Sequence, residues 1–129
     1  MYNKNDILYL LLNYVSSHWD FPKGNKEKDE TDIETAIRET KEETGISDLV
    51  FINGFKKNVF YNYKRNNILI SKKVIYYLAK TNTSTVVLSN EHTGYKWYTY
   101  NDALAKITYQ NSRNILRESY SFLQKISGL

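Results

Sequence analysis

The chain has 129 residues, 41% of them hydrophobic and 25% charged, the size and balance of one globular domain. It contains no cysteine, which excludes a disulfide framework, thiolate-held zinc or iron–sulfur sites and a cysteine nucleophile. The 18 basic and 14 acidic residues leave a net charge of +4, which points to an anionic partner without identifying one. No apolar run approaches the roughly 18–20 residues of a membrane-spanning helix. The run Ile7–Leu12 lacks the basic flank and cleavage site of a signal peptide. A cytoplasmic protein with no membrane role is therefore expected.

No internal repeat or linker interrupts the chain, so one domain over 1–129 is expected. Ile7–Tyr14 is apolar and aromatic and predicts a buried strand. Ser16–Lys23 reads as a loop. Thr31–Thr44 predicts a helix, with Thr31 as N-cap, Glu34 completing a capping box and Gly45 closing the C-terminus. Ile33, Ala36, Ile37 and Thr40 recur at helical spacing and predict its inward stripe. Leu49–Phe60 and Ile68–Ala79 predict two strands joined by the polar turn Asn62–Asn67. Val86–Leu88 and Tyr95–Tyr100 predict two shorter strands. A short helix is expected from Asn101 or Asp102 to Ile107, and a longer one over Ser112–Ile126. The pattern is that of a mixed α/β fold.

Charge is unevenly distributed. Gly24–Ile46 holds eight acids and four bases, net −4; the remainder holds 14 − 8 = 6 acids and 18 − 4 = 14 bases, net +8. Glu39, Glu42 and Glu43 fall at 0, +3 and +4 on one helix face, away from the Ile33/Ile37 stripe. Like charges at that spacing repel, and anions near a helix C-terminus oppose the macrodipole. Taken alone, three such glutamates read as a solvated face. A hard dication such as Mg²⁺, or Mn²⁺, would reverse the sign of both effects.

The surrounding spacing is specific. Gly24, five residues, Glu30, seven residues, then Arg38-Glu39-Thr40-Lys41-Glu42-Glu43-Thr44-Gly45-Ile46 resembles the Nudix box, G-x5-E-x7-R-E-U-x-E-E-x-G-U. Only Thr40 departs, standing at an aliphatic position. The resemblance implies an α/β/α sandwich with a mixed sheet and an enzyme that hydrolyses nucleoside diphosphates linked to another group. It implies that Gly24, Glu39, Glu42 and Glu43 hold Mg²⁺, that Glu30 pairs with Arg38, and that Glu43 or Glu39 acts as base.

Ser17-His18-Trp19-Asp20-Phe21-Pro22-Lys23-Gly24 is similar to the HW-x-x-PKG lead-in of the asymmetrical diadenosine tetraphosphate hydrolases, a branch of that family. Further segments around Gly54, Lys72, Glu91 and Tyr109 resemble the same branch. The branch implies that His18, Lys23 and Lys72 contact an oligophosphate. Glu91 would be a further metal ligand or would orient the water, giving it a place beside Glu39 and Glu43 in the catalytic set. Tyr63 (or Tyr61) and Tyr109 would stack the base. The implied partner is a dinucleoside polyphosphate, cleaved to ATP and AMP by a monomer or homodimer.

Two departures from the branch pattern stand out. Its usual first strand is missing or shortened, since only Met1–Asp6 precede Ile7, and Lys28-Asp29-Glu30 replaces Pro-Gly-Glu. The rival enzyme reading is an RNA 5′-pyrophosphohydrolase, favoured by the +8 outside the box and disfavoured by Lys23, where that class is expected to carry glutamine. A rival of another class is a catalytically weak nucleotide-sensing domain. The intact glutamates oppose it and the altered amino end favours it.

Overall fold

The computed structural model describes residues 7–24 and 26–127. Five strands and three helices follow in the order β1 (Tyr9–Tyr14), β2 (Trp19–Asp20), α1 (Asp32–Thr44), β3 (Val50–Arg65), β4 (Ile68–Lys80), β5 (His92–Tyr98), α2 (Tyr100–Lys106) and α3 (Gln110–Ser127). The strands form two sheets, β2-β1-β5 and β3-β4, rather than one mixed sheet, and every pairing among the described residues is antiparallel. The question of a shortened first strand falls at residues 1–6, outside the described residues.

β1 alternates as a two-sided strand must. Tyr9 and Leu11 face α2 and α3 and form a buried cluster with Ala103, Ile107 and Leu116, while Leu12, on the opposite face of the strand, is also fully buried. A second, smaller cluster joins Val74 and Tyr76 of β4 to Ile115 of α3, with Phe21, Val59 and Tyr61 packed against it. The lead-in between the two clusters is fixed from both sides. Trp19 N–H donates to Thr108 Oγ1 (2.9 Å), and Thr108 N–H returns a bond to the Trp19 carbonyl (3.1 Å). Antiparallel pairing of Trp19 with Asn13 and of Asp20 with Leu12 makes Trp19–Asp20 a short strand inside what the sequence presents as a loop.

The α1 boundaries follow the sequence. Thr31 is the N-cap of a complete capping box, and Gly45 sits left-handed at φ 76° with its N–H donating to the Lys41 carbonyl. The roll of the helix does not follow it. Ile33 and Ile37, expected to face inward, are 37% and 43% exposed, whereas Glu43 is 2% exposed and Ala36, Glu39 and Thr40 are half-buried. Glu43 faces the protein, where Lys23 N–H, Tyr14 and His92 surround its carboxylate, while Glu42 stays exposed.

Other elements shift for local reasons. The β3-β4 turn contracts to Asn66-Asn67, both at positive φ (52° and 65°), as a two-residue type I′ hairpin requires. Residues 86–88 form no strand; Val87 N–H is bonded to the Thr44 carbonyl at the end of α1 (2.9 Å). Thr99 rather than Asn101 or Asp102 caps α2, so Tyr100 is helical. Gly54 (φ 97°) bends β3 where the register slips, and a Cβ there would stand 3.1 Å from the Phe122 ring of α3.

Candidate functional site

The loop between β2 and α1 meets the inner face of α1. Glu30 accepts two bonds from the Arg38 guanidinium, Nε–Oε2 at 2.6 Å and Nη2–Oε1 at 3.1 Å, as the box resemblance implies. Glu27 N–H and Thr35 Oγ1 also donate to Glu30, and the Arg38 bonds come first among the causes that hold its carboxyl down at about 2. Arg38 Nη1 continues to Glu39 Oε1 (2.7 Å) and Glu42 Oε2 (3.1 Å). This guanidinium offsets the repulsion among the glutamates and locks α1 to its loop.

Gly24 is fitted to the Glu39 carboxylate. A Cβ at residue 24 would lie 1.9 Å from Glu39 Oε2, so no other residue lets the backbone pass so close. Glu43 lies deepest. Its Oε1 is 3.4 Å from Lys23 N, 3.5 Å from Tyr14 Oη and 3.2 Å from His92 Nε2. Burial, then the adjacent Glu39 carboxylate, push its carboxyl up to about 8, with Glu91 adding to the effect. Its Oε2 is buried with no hydrogen-bond partner. Two adjacent carboxylates, one with an orphaned buried oxygen, beside a glycine backbone that lies against Glu39, make a donor set suited to a hard dication. Among the described residues no three acidic or histidine side chains stand ready-gathered as a metal cage. Glu42 is exposed and turned to Arg38. Glu91 is exposed, its loop anchored by Val15 N–H donating to its carbonyl (3.0 Å). The sequence-predicted metal set is therefore brought together at Glu39, Glu43 and Gly24 and left open at Glu42 and Glu91.

An aromatic wall flanks the carboxylates. His18 stacks on Tyr14 (centroids 4.4 Å, planes 8° apart) and lies 5.3 Å from Tyr109, which is half-exposed. Tyr14 donates to the Phe21 carbonyl (2.7 Å), and its edge meets His92 at 4.4 Å. Ser89 Oγ is 2.9 Å from His92 Nδ1 and holds that ring. On the other side, Lys23 Nζ bonds the fully buried Asp20 (2.8 Å) and lies 5.4 Å from the Tyr61 ring centroid. Tyr61 and Lys72 are cross-strand partners, as are Tyr63 and Ile70 two residues on, so all four share the hairpin face that carries Tyr76. Tyr61 is in the inner cluster and Tyr63 beyond it, exposed.

Sequence reasoning missed Tyr14, Asp20 and His92. Each lies within four positions of a residue it did select (His18, Lys23 and Glu91), but nothing local shows that the three side chains turn inward.

With a buried acidic helix face, its arginine–glutamate lock and its close-fitting glycine, this chain belongs to the NUDIX family: residues 2–119 match the NUDIX domain. Among its relatives is a rat protein named bis(5′-nucleosyl)-tetraphosphatase [asymmetrical], 37% identical over 110 residues, covering 82% of this chain and 72% of the relative. A Caenorhabditis elegans protein of the same name is 36% identical over 123 residues, covering 93% and 86%. The crystal structure of a C. elegans Ap4A hydrolase binary complex superposes with a TM-score of 0.81 at 34% identity, covering 92% of this chain and 87% of that one. No helix of the described residues is long and apolar enough to cross a membrane.

Proposed function

We propose that the chain hydrolyses diadenosine tetraphosphate asymmetrically, water attacking phosphorus to give ATP and AMP. The observation that carries this reading is the Glu39–Glu43 pair against Gly24, set between a lysine and exposed aromatic rings and found in a chain over a third identical to enzymes named for that reaction. Glu39 and Glu43, with the Gly24 carbonyl, would hold Mg²⁺, and Glu91 would serve as a further ligand or orient the water. The ion supplies Lewis-acid polarisation of a phosphoryl oxygen and a lowered water pKa. Glu43 takes the proton released by the attacking water. Lys23 and Lys72, as point charges, hold phosphate oxygens, and His18 adds a ring-nitrogen contact. Tyr109 and Tyr63 offer faces for stacking a base, a contact worth about 1–3 kcal/mol. The absence of cysteine fits a cytoplasmic setting.

Chromatography of Mg²⁺ reactions tests the reading, with ATP and AMP expected in equal amounts. Two ADP, or no product from folded protein, refutes it. Triphosphorylated RNA run alongside separates the rival, since the β3-β4 hairpin carries seven bases (Lys56, Lys57, Lys64, Arg65, Lys72, Lys73 and Lys80) and no acid. Faster pyrophosphate release from RNA would favour that reading.

A further inference from the structure

His92 stands beside Glu43, and an irregularity in the sheet brings it there. β1 and β5 pair Leu12 with Tyr95 and Asn13 with Gly94, so a regular ladder would set Thr93 opposite Tyr14. The register slips instead, and His92 takes that position. Side chains alternate along a strand, so the one extra residue moves His92 onto the face that carries Tyr14. Without the slip its imidazole would point to the other side of the sheet.

The ring is then held on two sides. The Tyr14 ring meets it edge-on at 4.4 Å, with the planes 64° apart. Ser89 Oγ stands 2.9 Å from its Nδ1. That oxygen already accepts from Glu91 N–H (3.4 Å), which leaves the Ser89 hydrogen for Nδ1. The bond sets the tautomer that carries its proton on Nε2. Nε2 is buried, has no aligned hydrogen-bond partner among the described residues and stands 3.2 Å from Glu43 Oε1. Bonds of this kind are often poorly aligned before a site is loaded and tighten afterwards.

The other neighbours of Glu43 Oε1 hold it less well. The Tyr14 hydroxyl has one hydrogen, which goes to the Phe21 carbonyl at 2.7 Å rather than to Glu43 at 3.5 Å. Lys23 N–H is 3.4 Å away. His92 is therefore the nearest donor. The two oxygens of one carboxylate are sorted by these contacts, Oε1 toward the protein and Oε2 buried without a partner.

Given the metal site proposed above, we propose that His92 is a positioning residue for the reaction: its Nε2–H, aimed by Ser89 and by the slip in β5, holds Glu43 Oε1 and leaves Oε2 for the dication. Outer partners of this kind are worth about 10–100-fold in metal affinity or activity.

The test compares His92→Leu, His92→Gln and Ser89→Ala with wild type in the full chain. Leucine fills the space without a donor, whereas the glutamine amide can present an N–H where Nε2 stood. Electron paramagnetic resonance of Mn²⁺ alone gives metal affinity. Hydrolysis of diadenosine tetraphosphate gives kcat and KM, and thermal unfolding in EDTA gives the metal-free Tm. Mn²⁺ affinity and kcat should each fall about ten-fold or more in His92→Leu with KM changed less than about two-fold, and His92→Gln should return both to within about three-fold of wild type. Ser89→Ala frees the tautomer and keeps the ring, so its losses should fall between those two. If His92→Leu does not fold, Ser89→Ala decides, and wild-type Mn²⁺ affinity in it overturns the proposal. Equal losses in the leucine and glutamine variants, or losses that track Tm, would mean that His92 only packs, and would overturn it too. So would unchanged Mn²⁺ affinity in all three variants, or a folded wild type that binds no Mn²⁺. If the Mn²⁺ ranking holds but wild type leaves the dinucleotide intact, the role of His92 stands and the substrate reading falls.

Discussion

Glu43→Gln tests the reading of the site most directly. In the metal-free protein Glu43 titrates at about 8, burial being the first cause and Glu39 the second. Its unfolded value is about 4.3. The folded state therefore binds the proton more tightly than the unfolded state. The resulting stability is present below pH 4 and is lost as pH rises through 8. Between pH 5 and 8 the loss is on the order of 3 kcal/mol. His18 and His92, both shifted down by burial, act with the opposite sign. The difference between wild type and Glu43→Gln isolates the carboxyl. Urea unfolding in EDTA should show wild type weakening with pH relative to the variant. Binding of Mg²⁺ must expel the Glu43 proton, so wild-type affinity should rise about 50-fold from pH 6 to pH 8, as the ionised fraction climbs from about 1% to one half. The variant should bind weakly, without that slope, and lose orders of magnitude in kcat. Parallel pH profiles of stability, or a pH-independent wild-type affinity, would refute the assignment of Glu43 as a protonated ligand.

Three further outcomes follow from the geometry. Gly24→Ala places a methyl group 1.9 Å from Glu39 Oε2. Because the carboxylate end can swing away, Tm should stay near wild type while kcat falls about 100-fold, the cost of displacing a reacting group by about 1 Å. Lys23→Ala strands the buried Asp20 carboxylate and should cost about 3 kcal/mol in denaturant unfolding. Adding Asp20→Asn should recover most of that stability and none of the KM increase. Tyr109→Ala and Tyr63→Ala should each raise KM about ten-fold with kcat little changed, within the range of one lost stacking contact. A kcat effect alone would place these rings outside the base-binding surface.

What the sequence determined by itself is local or set by fixed spacing. The capping box, the glycine terminator and the Glu30–Arg38 pair depend on groups a few residues apart, brought together by one helix and its leading loop. Their geometry is the same wherever the helix lies. The direction of the α1 inner face is not of this kind. Ile33 and Ile37 carry the apolar period, yet the helix turns Glu43 inward, because Lys23, Tyr14 and His92 from three distant segments receive that carboxylate. The same limit hid Tyr14, Asp20 and His92, whose roles exist only once β1, the lead-in and β5 are side by side. Residues 86–88 have strand-forming side chains, but Thr44 claims the Val87 N–H and no neighbouring strand completes a ladder. The uneven charge was also readable from the first count of residues, −4 over the box and +8 elsewhere. Only the tertiary structure decided that one of those acids is buried, where loss of hydration first and the neighbouring Glu39 carboxylate second raise its affinity for a proton. Local hydrogen bonds are encoded by neighbours in sequence; burial and its electrostatic consequences are set by what the rest of the chain brings to the same place.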